Sequence, residues 1–452
     1  MARERPGVLI AVLALALAAT ATASALSHSS NPTSLPSALS VAGDAESTAL
    51  YCTGLSGAGG GAAGVVSFLN TQPTVRHMAV TVVNDVGQRV TRQLTVLGGS
   101  TMRVSPSSWL GGHSYGVDAV ITGGGVVAEE VAAQARALAP CVSGGVTSWY
   151  ASGFDTKVGS SAVLSFFNPT ATPAVINVTT YSATGYAAPA PFQGFAVGPH
   201  DQVEINLGRE VVNTDNVGVG VSVVRGAVAV VGVQRSGTVT SFTTGSSSPA
   251  TRAWFPQVTT ASAARADVLV TNPSTQPANV TVAVSLGSFH VVPRTVSVAA
   301  RATGVVTITP NSAIPAAGFA SLRVTASTPV VAALATGSTA GMSLSAPTSP
   351  EREFLVSDFS GRGFATATLT NVGVRALAVS VRELATSRVP AVTATSTLAG
   401  GATVSLRALF AVLGPLHGRT IVVSAQRPAL VVTLTLPGNP TGVNVVAPLD
   451  GG

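Results

Sequence analysis

Three observations predict an all-β chain built of four tandem β-sandwich modules behind an N-terminal segment. An apolar alternation ending in Asn recurs about every 100 residues. Each interval holds about seven short extended stretches, with turn residues every 8 to 12 positions. Helix signals are weak throughout; the strongest, Glu129 to Leu138, reads equally as a strand end and a linker.

The chain opens "MARERPGVLIAVLALALAATATASALS", with Arg3 and Arg5 before an apolar stretch and A-x-A patterns at Ala21/Ala23 and Ala23/Ala25. Residues 1–25 thus read as a secretory signal peptide, or as an uncleaved signal anchor. Either places the rest outside the cytoplasm, secreted or anchored to the outer face of the membrane, which is met through this segment alone. Residues 26–46, rich in Ser and Pro, read as a tether.

Of the 452 residues, 46% are hydrophobic and 9% charged, yet beyond the N-terminus no apolar run reaches the roughly 18 to 20 residues that span a bilayer. The 24 basic and 18 acidic residues are spread thinly. A nucleic-acid partner needs a clustered basic face, so that class is excluded. Cys52 and Cys141 are the only cysteines, and an even count in an exported chain favours a disulfide over two buried thiols.

The repeat is marked by Asn70, Asn168, Asn272 and Asn371, separated by 98, 104 and 99 residues. Two residues before each stand Phe68, Phe166, Val270 and Leu369; eight after stand Met78, Ile176, Val280 and Val379; ten after stand Val80, Val178, Val282 and Val381. Between the last two groups lie Ala79, Asn177, Thr281 and Ser380, so the second strand alternates with period two and buries one face. An aromatic precedes each Asn by 17 to 19 residues: Tyr51, Trp149, Trp254 and Phe354. Equivalent placement predicts core packing. Later strands are marked by Val104, Val203, Val306 and Val404, each followed by a variable connector with room for one helical turn. Each copy closes on a predicted hairpin, such as "YGVDAVITGGGVVAEEVA". The modules are 47–145, 146–249, 250–348 and 349–452, and seven strands per 100 residues match an immunoglobulin-like sandwich.

The "LYCTG" start, the "SWYASGFDTKVGSSAVLSFFNPTATPAVINVTTYSATG" block and the "VGVGVSVVRGAVAVVG" close resemble a family of uncharacterised exported actinobacterial proteins, a domain of unknown function. The resemblance implies export and cell-envelope residence, and it adds no catalytic residues. The N-P-x-x-x-P-x-x-V pattern also resembles the first hairpin of many bacterial immunoglobulin-like surface modules.

Chemical motifs are sparse. Gly59, Gly61 and Gly64 satisfy G-x-G-x-x-G, but a strand-like stretch follows where a dinucleotide site needs a helix. No G-x-S-x-G occurs, and the six histidines show no metal-ligating spacing. Glu129 and Glu130 are adjacent, so on a strand they point to opposite faces rather than together into a glycosidase cleft.

If one module carries specific recognition it is the second, which concentrates Asp155, Lys157, Tyr181, Tyr186, Phe192, Phe195, His200, Glu204 and Asp215; an unusual connector loop accounts for the same composition. Tyr181, Tyr186, His200, Asp201 and Glu204 form the candidate ligand loop. No catalytic residue, metal or cofactor is expected. The expected function is a non-enzymatic envelope scaffold or interaction surface with an envelope protein as partner; the alternative is an accessory protein that binds cell-wall glycan through those loops.

Overall fold

The computed structural model describes residues 47–56, 64–132, 137–259, 265–286, 289–308, 314, 319–338, 341–357, 366–384, 393–409, 420–435 and 443–445. The expected signal segment and tether lie outside them, as do Gly59 and Gly61. The described chain is almost entirely antiparallel β-structure.

Four consecutive strand sets are present. The first holds β1 (Ser47–Ser56), β2 (Gly64–Asn70), β3 (Arg76–Asn84), β4 (Arg89–Val96), β5 (Thr101–Val104), β6 (Ser114–Thr122), β7 (Val126–Ala132) and β8 (Ala137–Pro140). Its two sheets have the orders β1-β6-β3-β4 and β5-β2-β7-β8.

The second set holds β9 (Ser148–Phe154), β10 (Ser160–Phe167), β11 (Ala174–Ser182), β12 (Gly185–Ala187), β13 (Phe195–Val197), β14 (Gln202–Asn206), β15 (Val217–Arg225), β16 (Ala229–Ser236) and β17 (Val239–Thr243). Its sheets run β12-β11-β15-β9, with β13 also on β11, and β14-β10-β16-β17.

The third holds β18 (Ala250–Thr259), β19 (Arg265–Asn272), β20 (Ala278–Leu286), β21 (Phe289–Val298), β22 (Ala302–Ile308), β23 (Phe319–Ser338) and β24 (Gly341–Ser345). All seven join one sheet through β23.

The fourth holds β25 (Glu353–Ser357), β26 (Thr366–Asn371), β27 (Leu377–Glu383), β28 (Thr393–Leu398), β29 (Thr403–Ser405), β30 (Thr420–Ala425), β31 (Leu430–Thr435) and β32 (Val443–Val445), in the orders β25-β30-β27-β28 and β29-β26-β31-β32. The connectors carry short turns at Pro106–Ser108, Leu207–Arg209 and Leu406–Leu409.

Each set encloses its own apolar core. All twelve apolar positions keyed to the repeat are buried in these cores. At about 1.5 to 3 kcal/mol per buried aliphatic or aromatic side chain, this burial is the main favourable contribution to folding.

The closing hairpins are corrected by the structure. β6 pairs with β1 and β3 while β7 pairs with β2 and β8, so the two strands belong to opposite layers; β15 and β16, and β30 and β31, divide in the same way. In the third set the two strands fuse into the 20-residue β23, whose first half pairs with β20 and whose second half pairs with β19. The glycines between the first pair have positive φ, 74° at Gly123 and 84° at Gly125, and turn the chain from one layer to the other. Glu129 and Glu130 lie within β7, so the segment offered as a helix begins as a strand.

The aromatic landmarks are also corrected. Trp149 and Phe354 are buried in their cores, but Tyr51 points out of its layer, with its ring 5.9 Å from that of Phe167 in the second set. Successive strand residues face opposite ways, so Leu50 and Cys52 fill the first core while Tyr51 between them faces the junction, and Ala253 and Phe255 fill the third core while Trp254 between them is only partly buried.

The repeated Asn staples the layers together. All four are completely buried. Asn168 Nδ2 donates to the carbonyls of Thr172 at 2.8 Å and Val197 at 3.1 Å, and its Oδ1 accepts the N–H of Thr170 at 2.9 Å. Asn70, Asn272 and Asn371 make the corresponding bonds. The Asn ends a strand of one layer and grips the end of a strand of the other, which satisfies backbone groups that the chain reversal would leave buried and unpaired.

The residue before each Asn faces away from its own core and is nevertheless buried: Leu69, Phe167, Thr271 and Thr370. Each meets the outward face of the preceding set's first-strand layer. Phe167 meets Tyr51. The Thr271 hydroxyl bonds Ser152, and Thr370 bonds the Pro256 carbonyl at 3.4 Å. Leu69 and Val127 of the first set pack with Leu355, Leu384 and Val422 of the fourth. The contacts run head to tail from first to second, second to third and third to fourth, and the fourth returns to the first. The last strands of the sets adjoin one another, β8 with β17 and β32, and β17 with β24.

Candidate functional site

Cys52 and Cys141 form a disulfide that joins β1 to the residue after β8, and so ties the two layers of the first set together. A disulfide suggests an oxidising, extracytoplasmic environment.

The five loop residues stand in two places. Tyr181 and Tyr186 are cross-strand partners on β11 and β12. Tyr181 is buried, which pushes its phenol above the ordinary value; Tyr186 is half exposed, with the Arg301 guanidinium of the third set 4.6 Å from its ring centre. His200, Asp201 and Glu204 lie at and before β14, beside the first set. Burial raises the Glu204 carboxyl, opposed by Arg235. Burial likewise raises Asp118 of the first set, opposed by the charge of His200.

The junction between the first and second sets is polar at its centre. Thr53 Oγ1 donates to Gln202 Oε1 at 2.6 Å, Gln202 Nε2 donates to Ser165 Oγ at 2.7 Å, and Ser165 donates back to the Thr53 carbonyl. Every member is buried. A satisfied buried network of this kind fixes the register of two packed sheets.

Of the two adjacent glutamates, Glu130 lies beside this network, against Gly54, and Glu129 faces the other way. Burial holds both carboxyls up at about 8. Glu130 accepts the Gly54 N–H at 2.7 Å, which opposes the shift in part.

The second and third sets meet around a cleft of about 390 Å³, lined by Asp155, Lys157, Asp215 and Asn216 from one side and Asp267 and Thr303 from the other, among others. Four polar arrangements shape it. Asp155 caps its own turn, accepting the Lys157 N–H at 2.9 Å and the Ser160 hydroxyl at 2.8 Å. The Lys157 ammonium pairs with Asp215 at 2.5 Å. Asn216 sits at φ 49°, a conformation Asn tolerates better than most residues, and its Nδ2 donates across the junction to the Gly304 carbonyl at 3.0 Å. Asp267 accepts the Thr307 hydroxyl at 2.6 Å.

Asp155, Lys157 and Asp215 stand out in the sequence as part of the polar concentration in the second module, whereas Asn216, Asp267 and Thr303 do not. Asn216 follows an acid in an unremarked loop, and the other two lie in strands whose outward face carries no sign of what covers it. Among the described residues no three His, Cys, Asp or Glu side chains are grouped to hold a metal ion.

Residues 125–409, more than half of the chain, match the profile described as "Family of unknown function (DUF5719)". No curated protein matches. Among solved structures, a tetra-tandem repeat from the extending region of a large adhesion protein is 12% identical, covering 91% of this chain and 97% of its own, with a TM-score of 0.12. A GH78 family rhamnosidase of Bacillus sp. GL1 is 7% identical, covering 71% of this chain and 55% of its own, with a TM-score of 0.15.

Proposed function

We propose a function from the premise that this chain belongs to the DUF5719 family of unknown function: it is an exported, non-enzymatic protein of the cell envelope that acts as a rigid scaffold and interaction surface. Its strand sets are read as four immunoglobulin-like modules, 47–145, 146–249, 250–348 and 349–452.

One observation carries this reading. The positions that repeat are spent on architecture: the four Asn clamps are buried, the keyed apolar residues fill cores, and the residue before each Asn packs on a neighbouring set. Contacts with a partner then fall to the loops and clefts that do not repeat, among which the second set is the richest in polar side chains. The disulfide supports an extracytoplasmic site of action.

The test is reciprocal affinity capture from the native envelope with the full chain. Recovery of one envelope protein in both directions supports the scaffold reading. Turnover of peptidoglycan or ester substrates by the purified chain, abolished by changing a single Ser, His or acidic residue, would overturn it.

The half-exposed ring of Tyr186 favours a second reading, recognition of wall glycan. Binding to purified cell wall that falls on Tyr186→Ala supports it, and binding no greater than background removes it.

A further inference from the structure

The geometry points to the cleft between the second and third sets as a binding site for a small ligand that carries a primary ammonium or guanidinium group. The inference deepens the reading above, on which it rests for the view that function lies in the non-repeating surface.

Two buried oxygens carry it. Asn216 is 9% exposed and Thr303 is 7% exposed, and both line the cleft, one from each set. Among the described residues, Asn216 Oδ1 and Thr303 Oγ1 have no hydrogen-bond partner. The orientation of the amide is fixed, because its Nδ2 is the group that donates to the Gly304 carbonyl; the oxygen aimed away is a pure acceptor. A buried acceptor without a donor is costly, so buried polar groups in native proteins are nearly always satisfied. The amide oxygen can be satisfied only by a donor, and the Thr303 hydroxyl can accept a second one.

The charge around those oxygens selects the donor. Asp155, Asp215 and Asp267 bring three carboxylates against the single ammonium of Lys157, which is engaged by Asp215. The cleft is therefore acidic in a chain whose formal net charge is +6. An N–H donor with a positive charge satisfies both demands, since charge-assisted bonds to carboxylate are the stronger kind. The acids are spread around the walls rather than grouped on one point. That spacing suits an organic cation reaching several acceptors, and the volume of about 390 Å³ is that of a small-molecule pocket.

The ammonium could belong to a peptide side chain or to an amino sugar, and titration calorimetry of the full chain distinguishes these. The probes are Nα-acetyl-lysine methylamide and glucosamine, each set against its N-acetylated, uncharged counterpart. Saturable binding of either cation, weakened at least about tenfold by neutralising the nitrogen, is the expected result. Lysine alone identifies a peptide source, glucosamine alone an amino-sugar source, and both together a site that reads the charged nitrogen only.

Thr303→Val and Asp267→Asn should each weaken binding several-fold while leaving the melting temperature within about 2 °C of the parent. Absence of saturable binding to both cations, or equal binding of the uncharged counterparts, overturns the proposal. Because this assay needs no envelope partner, its failure is separate from failure of the scaffold reading, which affinity capture decides.

Discussion

The Thr271 hydroxyl donates to Ser152 Oγ at 2.9 Å, and Gly218 lies so close to the same threonine that an added Cβ would come within 2.1 Å of its Oγ1. The second and third sets approach each other here at backbone distance. Gly218→Ala should destabilise the chain by about 1 to 3 kcal/mol through overpacking. Chemical denaturation measures the loss, and Thr271→Gly in the same chain should restore part of it, because the clashing atoms belong to that side chain.

Asn168→Ala removes the clamp between β10 and β13 and leaves the carbonyls of Thr172 and Val197 without this donor. The expected loss is about 2 to 4 kcal/mol. Asn168→Asp should be worse than Asn168→Ala, because it sets a carboxylate oxygen against those carbonyls. Equal unfolding midpoints for the parent and both variants would contradict the clamp.

The disulfide closes a sequence separation of 89 residues, for which the chain-entropy relation gives about 4 to 5 kcal/mol. Reduction, or Cys52→Ser with Cys141→Ser, should lower the melting temperature. The double variant should be insensitive to added reductant, whereas the parent should not.

Glu129 and Glu130 give the fold a pH dependence of defined sign. Burial raises both carboxyls from 4.5 to about 8. The folded chain keeps protons that the unfolded chain releases, so their contribution falls as pH rises from 4.5 to about 8 and is level outside that window. Glu129→Gln and Glu130→Gln should each flatten the fall in melting temperature between those limits. A parallel profile for parent and variants would show that the carboxyls do not titrate in this way.

The period and the core faces were legible in the sequence because the Asn and the apolar positions keyed to it keep the same chemistry in every set. The head-to-tail junctions were harder to see. Leu69, Phe167, Thr271 and Thr370 occupy one position but divide into two large apolar and two hydroxyl side chains, since each is fitted to a different neighbour. A signal did exist: "VVSFLN" and "VLSFFN" are apolar on both faces, as expected of strands covered on both sides. The layer exchange between β6 and β7 was hidden because a strand pair and a crossing pair have the same alternation. The cleft was half visible, since its second wall comes from strands of the next set, far along the chain from the first.

The contact of Leu69 and Val127 with Leu355 and Val422 has a consequence for how a chain of this kind can evolve. An open row of repeats can gain or lose a copy at small cost, because each copy touches only its neighbours. Here the last copy covers the first, so a chain of three or five would leave two apolar faces uncovered or force every junction to a new angle. Copy number is thereby quantised, and divergence is confined to the surfaces that closure leaves outside.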